Sequence, residues 1–128
     1  MVKLIPFFLS LVLLAGCGAA SGSGYLQISM DEAIRLMEQE VDYVVLDVRT
    51  PEEFREGHIP GAINIPNEDI GSDEISVLTD PEALILVYCR SGNCSKQSAE
   101  KLAALGYTNV AEFGGILDWP GETVSGND

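Results

Sequence analysis

The sequence predicts one α/β domain built on a small parallel sheet covered by helices on both faces. Two observations predict it. Short apolar runs (Tyr43 to Leu46, Ala62 to Ile65, Leu84 to Tyr88 and Asn109 to Ala111) alternate with segments of helical pattern. The most apolar of those runs lack the polar alternation of a strand with one wet face, so both of their faces are buried.

The elements follow in order. Ser29 with Glu32 three residues later has the form of a capping box. It opens a helix through about Gln39, with Ala33, Ile34 and Met37 on one face. Tyr43 to Leu46 is a buried strand, left by Asp47-Val48-Arg49. Pro51 to Glu56 is a short helix with proline in its first turn, ended by Gly57. Ala62 to Ile65 is a strand closed by Pro66. Asn67 to Leu78 is a helix or a loop, weakened by Gly71. Pro81 precedes the strand Leu84 to Tyr88. Lys96 to Leu105 is a helix carrying Ala99, Leu102 and Ala103, stopped by Gly106. Asn109 to Ala111 is the last strand.

In parallel sheets ligands bind beyond the carboxyl ends of strands. Cys89 lies at one such end, where an apolar run meets the turn Cys89-Arg90-Ser91-Gly92-Asn93-Cys94-Ser95. That position predicts an exposed thiol among backbone N–H groups, which favour the reactive thiolate. Gly92 and Asn93 are the residue types that tolerate the left-handed backbone of such a loop.

The amino-terminal residues read separately. A basic start at Lys3, an apolar stretch from Leu4 to Leu14 too short for a permanent span, and Leu14-Ala15-Gly16-Cys17 follow one another. This order resembles the bacterial lipobox. It implies a signal peptide over 1–16, lipid on Cys17, a tether over 17–24 and a folded domain over 25–128. The mature chain would hold 112 residues, and losing Lys3 would take the formal charge from −13 to −14. Such a charge argues against nucleic acid as a partner, and against attachment to anionic lipid by a basic patch. Membrane attachment is expected through the lipid on Cys17 alone, on a bacterial membrane facing the periplasm or the cell exterior. In that compartment disulfides persist, and Cys89 and Cys94 are the only possible intramolecular pair left.

Three segments together resemble the rhodanese (sulfurtransferase) family. The first runs from Asp47-Val48-Arg49 through Gly57-His58-Ile59-Pro60-Gly61-Ala62 to Pro66. The second is the Cys89 loop. The third is Gly114-Gly115-Ile116-Leu117-Asp118-Trp119. Their order and spacing match from about residue 26 to 120. The resemblance implies a rhodanese-like α/β fold with about five strands. It implies that Cys89 takes a sulfane sulfur from a donor such as thiosulfate, becomes a persulfide, and passes the sulfur to cyanide or a thiol. Arg90, Ser91, Gly92, Asn93, Cys94 and Ser95 would form the substrate-binding loop. The expected partners are a small sulfur-containing anion or persulfide donor and a thiol or cyanide acceptor. No cofactor and no metal are expected, and the domain is expected to act as a monomer.

Several residues carry competing roles. Arg90 holds the sulfonate end of thiosulfate, or pairs with Glu53 or another carboxylate. Cys94 stands where family loops commonly carry arginine. It attacks the Cys89 persulfide to give a disulfide, or serves as a redox lock, or is a neutral replacement. His58 is expected in a structural turn and not as a base for Cys89. Asp47 and Arg49 are expected to pair at the end of their strand, and Trp119 to lie in the core. Glu52-Glu53 and Asp73-Glu74 read as solvated faces. Two further functions compete with sulfur transfer: a non-catalytic rhodanese module that binds a partner protein, and a redox-switched sulfur carrier using Cys89 and Cys94.

Overall fold

The structure, a computed structural model, describes residues 24–71 and 75–127. The signal peptide, Cys17, most of the tether and Asp73-Glu74 lie outside the described residues.

Five strands form one parallel sheet: β1 (Leu26–Gln27), β2 (Tyr43–Asp47), β3 (Ile63–Asn64), β4 (Leu84–Cys89) and β5 (Val110–Gly115). Their order is β1-β5-β4-β2-β3, with β4 at the centre. The helices are α1 (Met30–Gln39), α2 (Pro51–Glu56) and α3 (Asn93–Ala104), with short 3-10 turns at Asn67–Asp69 and Ile116–Asp118.

Strand periodicity splits the core into two layers. Along β4, Ile85, Val87 and Cys89 face the layer that holds Ala99 and Leu102 of α3. Leu86 and Tyr88 face the opposite layer, with Ala33 of α1 and Phe54 of α2. Helices therefore cover both faces, as expected. The same alternation puts the Cys89 sulfur on the side where α3 begins.

The predicted elements are present, with corrections at their ends. Residues Ser29 and Glu32 make half of a capping box. Ser29 Oγ accepts from the Glu32 amide, while the Glu32 carboxylate pairs with Arg35 instead of returning to the cap. The full box stands at α2, between Thr50 and Glu53. On α1 the packed residues are Met30, Ala33, Leu36 and Met37, so Leu36 takes the place expected for Ile34. That set is the i, i+3, i+4 stripe around Ala33. Helix α3 starts at Asn93, three residues before Lys96, and buries Ser95, Ser98, Ala99 and Leu102 rather than Ala103.

Strand β1, which sequence periodicity does not reveal, pairs its two residues with Ala111 and Glu112. Strand β5 runs on past Ala111 to Gly115. Trp119 is half-buried at the edge of the second layer, with its indole N–H donating to the Glu122 carbonyl at 2.9 Å. Its polar edge needs a partner near solvent, which keeps it out of the core. No described helix is long and apolar enough to cross a membrane.

Candidate active site

Cys89 ends the central strand, and the chain then turns through Arg90, Ser91 and Gly92 into α3. Gly92 makes the turn: its φ of 110° is left-handed, which glycine adopts without a Cβ penalty. Asn93, expected to share that conformation, is instead the first residue of the helix. One left-handed residue suffices to reverse the chain, and the next is free to be helical.

The turn folds back on the thiol. The Gly92 N–H donates to Cys89 Sγ at 3.0 Å. Ser95 Oγ lies 3.4 Å from the same sulfur. Both contacts come from the start of α3, where unpaired N–H groups make a favourable place for negative charge. Cys89 itself is only 3 % exposed, against the exposed thiol expected from its position at a strand end. The side chain lies in the core layer covered by α3, and Cys89 is one of the residues that line a cavity.

That cavity has a volume of about 330 Å³. Cys89, Arg90, Ser91, Asn93 and Cys94 line one side. Val48, Arg49, Thr50 and Glu53 line the other, together with Asn67 and Glu68. Three parts of the sequence far apart in the chain thus meet at the carboxyl edge of the sheet. Of the predicted loop residues, Gly92 and Ser95 are buried behind the cavity and support it from within.

Arg90 is exposed, and the two ion pairs among the described residues, Arg35–Glu32 and Arg49–Asp47, do not include it. The Glu53 carboxylate is occupied by Thr50, so the expected Arg90–Glu53 pair does not form. Cys94 is exposed, and both Cys89 and Cys94 are free thiols.

The upstream segment builds the opposite wall. Arg49 grips Asp47 with two nitrogens and donates to the Gly57 carbonyl at 2.6 Å. Burial works to lower its pKa, but the bond and charge of Asp47 hold it above the ordinary arginine value. Asp47 also accepts from the Tyr88 hydroxyl at 2.7 Å. Burial, then the Asp47 charge, push the Tyr88 hydroxyl well above its ordinary pKa. The pairing of Asp47 with Arg49 is as expected.

His58 is also structural. It is fully buried, stacks on Phe54 at 3.7 Å, places Nδ1 2.8 Å from the Phe54 carbonyl, and pairs its backbone with Val124. None of its contacts reaches Cys89.

The downstream glycines lie under the loop. A Cβ on Gly115 would stand 2.0 Å from the Arg90 carbonyl oxygen, so only glycine allows β5 and the loop to approach this closely. Gly114, with φ 106°, packs against Gly92. One residue escaped sequence reasoning. Glu112, 1 % exposed, accepts from Ser95 Oγ at 2.6 Å and from the Gly114 amide at 2.8 Å. An acid inside the apolar run Val110–Phe113 was the available signal. Among the described residues there is no cluster of side chains suited to a metal ion.

A backbone N–H thus holds a cysteine at the end of the central parallel strand, beside a small cavity at the carboxyl edge of the sheet. The chain belongs to the Rhodanese-like domain family, which matches residues 29–122. It is 38% identical over 73 residues to the thiosulfate sulfurtransferase PspE of Escherichia coli, covering 57% of this chain and 70% of that protein. It is 34% identical over 110 residues to the thiosulfate sulfurtransferase GlpE of Pseudomonas entomophila, covering 82% and 97%. Among solved structures, a rhodanese with anions from E. coli superposes with a TM-score of 0.60 at 36% identity, over 66% of this chain and 99% of that one. A rhodanese-related protein from Thermoplasma volcanium gives 0.65 at 31%, over 78% and 98%.

Proposed function

We propose that the chain is a rhodanese-type sulfurtransferase that carries sulfane sulfur as a persulfide on Cys89. The observation that carries this reading is the Cys89 sulfur, held by the Gly92 N–H at 3.0 Å in a residue that lines a cavity of about 330 Å³. The relatives named thiosulfate sulfurtransferase support it. In the first step Cys89 sulfur bonds to the outer sulfur of thiosulfate. The S–S bond of the donor breaks, and sulfite leaves with the bonding pair. In the second step cyanide or a thiolate bonds to that outer sulfur, and Cys89 leaves as thiolate. N–H groups at the start of α3 stabilise the anionic sulfur in each step. Arg90, exposed and lining the same cavity, would hold the sulfonate.

Thiocyanate formation from thiosulfate and cyanide tests the reading. Wild type should form product and Cys89→Ser none. Absence of product from wild type with several donors would favour a binding module.

One observation favours a second reading. Cys94 is exposed on the wall of the cavity that Cys89 lines. Its thiolate would attack Cys89 Sγ of the persulfide, expelling sulfide and leaving a Cys89–Cys94 disulfide that a dithiol reductant must reopen. The chain would then be a redox-switched sulfur carrier, and its turnover would depend on added dithiol.

For localisation, the order of Lys3, the apolar stretch and Cys17 supports export with lipid attachment. Cys17→Ala should move the protein from the membrane fraction to the soluble fraction.

A further inference from the structure

A second nucleophile, Cys94, lines the cavity that Cys89 lines, and transfer to cyanide does not use it. Cys94 is the second residue of α3. Residues before and after it touch the Cys89 sulfur: the Gly92 N–H at 3.0 Å and Ser95 Oγ at 3.4 Å. The two thiols differ in access. Cys89 is 3 % exposed, in the core layer under α3, while Cys94 is exposed. A small nucleophile such as cyanide can enter a cavity of about 330 Å³. The thiol of a folded protein arrives with its own backbone and neighbours, and it meets Cys94 before it meets Cys89. A persulfide on Cys89 carries its outer sulfur about 2 Å beyond Sγ, and the cavity gives that sulfur room.

We propose that Cys94 is the exit for the sulfur: it takes the outer sulfur from Cys89 and presents it, as its own persulfide, to the thiol of an acceptor protein. The inference rests on the sulfurtransferase reading. In the relay step the Cys94 thiol gives its proton to solvent, and its sulfur bonds to the outer sulfur of the Cys89 persulfide. The bond from that outer sulfur to Cys89 Sγ breaks, and Cys89 leaves with the bonding pair. One persulfide is consumed and one is formed, so no oxidant or reductant enters. The Gly92 N–H favours this step, because it stabilises the Cys89 sulfur as it becomes the leaving anion. Attack on Sγ would instead expel sulfide and leave the disulfide of the redox-switched carrier. After the relay step Cys89 is again a thiolate and takes sulfur from the next thiosulfate. With donor in excess, both cysteines therefore hold sulfur.

The test gives the full chain excess thiosulfate, caps it with iodoacetamide at intervals, and digests it with trypsin. Cys89 then falls in the peptide Glu56–Arg90 and Cys94 in Ser91–Lys96. In wild type, Glu56–Arg90 should gain one sulfur atom first and Ser91–Lys96 one later. In Cys89→Ser, the Ser91–Lys96 peptide should gain none. In Cys94→Ser, transfer from the loaded chain to the free thiol of serum albumin should slow about tenfold more than transfer to cyanide. Sulfur on Ser91–Lys96 in Cys89→Ser overturns the proposal. So does a wild-type Ser91–Lys96 peptide that stays unloaded or appears only as a disulfide with Glu56–Arg90, and so does equal slowing toward the two acceptors. The order of loading in wild type decides the matter should Cys89→Ser not fold. Sulfur on Glu56–Arg90 of Cys94→Ser, with none on Ser91–Lys96 of wild type, removes the relay alone. No sulfur on Glu56–Arg90 in either protein removes the transfer reading itself.

Discussion

The Tyr88 hydroxyl donates to Asp47 Oδ2 at 2.7 Å and accepts from the Ile59 N–H at 3.1 Å. It ties the strand that ends in Cys89 to the turn that carries Gly57 to Ala62. Tyr88→Phe leaves the buried Ile59 N–H without a partner, while Asp47 keeps Arg49. The expected loss of stability is about 1–3 kcal/mol, read by urea unfolding. A loss below the error of that measurement would show that the hydroxyl holds nothing together.

The same hydroxyl predicts an alkaline limb. In the folded chain its pKa is raised, first by burial and then by the Asp47 charge; in the unfolded chain it ionises near pH 10.0. Its contribution is therefore intact below pH 10.0 and declines above it, as the unfolded state alone gives up the proton. The difference in unfolding free energy between wild type and Tyr88→Phe should shrink by about 1.4 kcal/mol per pH unit above that point. A difference that stays constant through the same range would contradict the assignment.

Gly115 sets the distance between β5 and the loop. Gly115→Ala places a Cβ 2.0 Å from the Arg90 carbonyl, a backbone atom that cannot swing away. The expected cost is about 3 kcal/mol, with loss of thiocyanate formation as Gly92 and Ser91 are displaced. Gly71→Ala is the control: a Cβ there meets nothing within 4 Å among the described residues, and stability should stay within about 0.5 kcal/mol. Equal effects at the two positions would remove the argument from close approach.

Much of this was legible in the chain, for local reasons. The run Leu84 to Tyr88 followed by Gly92 places a thiol at a strand end, and Pro51 with Gly57 brackets α2. What was not legible depends on contacts distant in sequence. Strand β1 has only Leu26 and Gln27 and exists because β5 offers it an edge. Helix α3 begins at Asn93 because Gly92 turns left-handed, with no capping side chain to announce it. The burial of Cys89 follows from α3 packing against the sheet, which no spacing around residue 89 reveals. Glu112 looks like a surface acid until Ser95 and Gly114 are seen to satisfy it.

Cys94 is exposed and lines the same cavity as Cys89. Cys94→Arg should raise thiosulfate:cyanide turnover mainly by lowering KM, because a second fixed positive charge joins Arg90 at the cavity. An unchanged or higher KM would show that the loop holds its donor without that charge. Arg90→Ala should raise KM, and its failure to do so would free Arg90 from any part in binding.

The central claim is that Cys89 carries the sulfur. The full chain should be treated with thiosulfate, digested with trypsin without reductant, and weighed peptide by peptide. The peptide Glu56–Arg90 should gain the mass of one sulfur atom, and lose it again on addition of cyanide. A Glu56–Arg90 peptide that keeps its mass, neither gaining sulfur nor linked to Ser91–Lys96 through a disulfide, would contradict the claim.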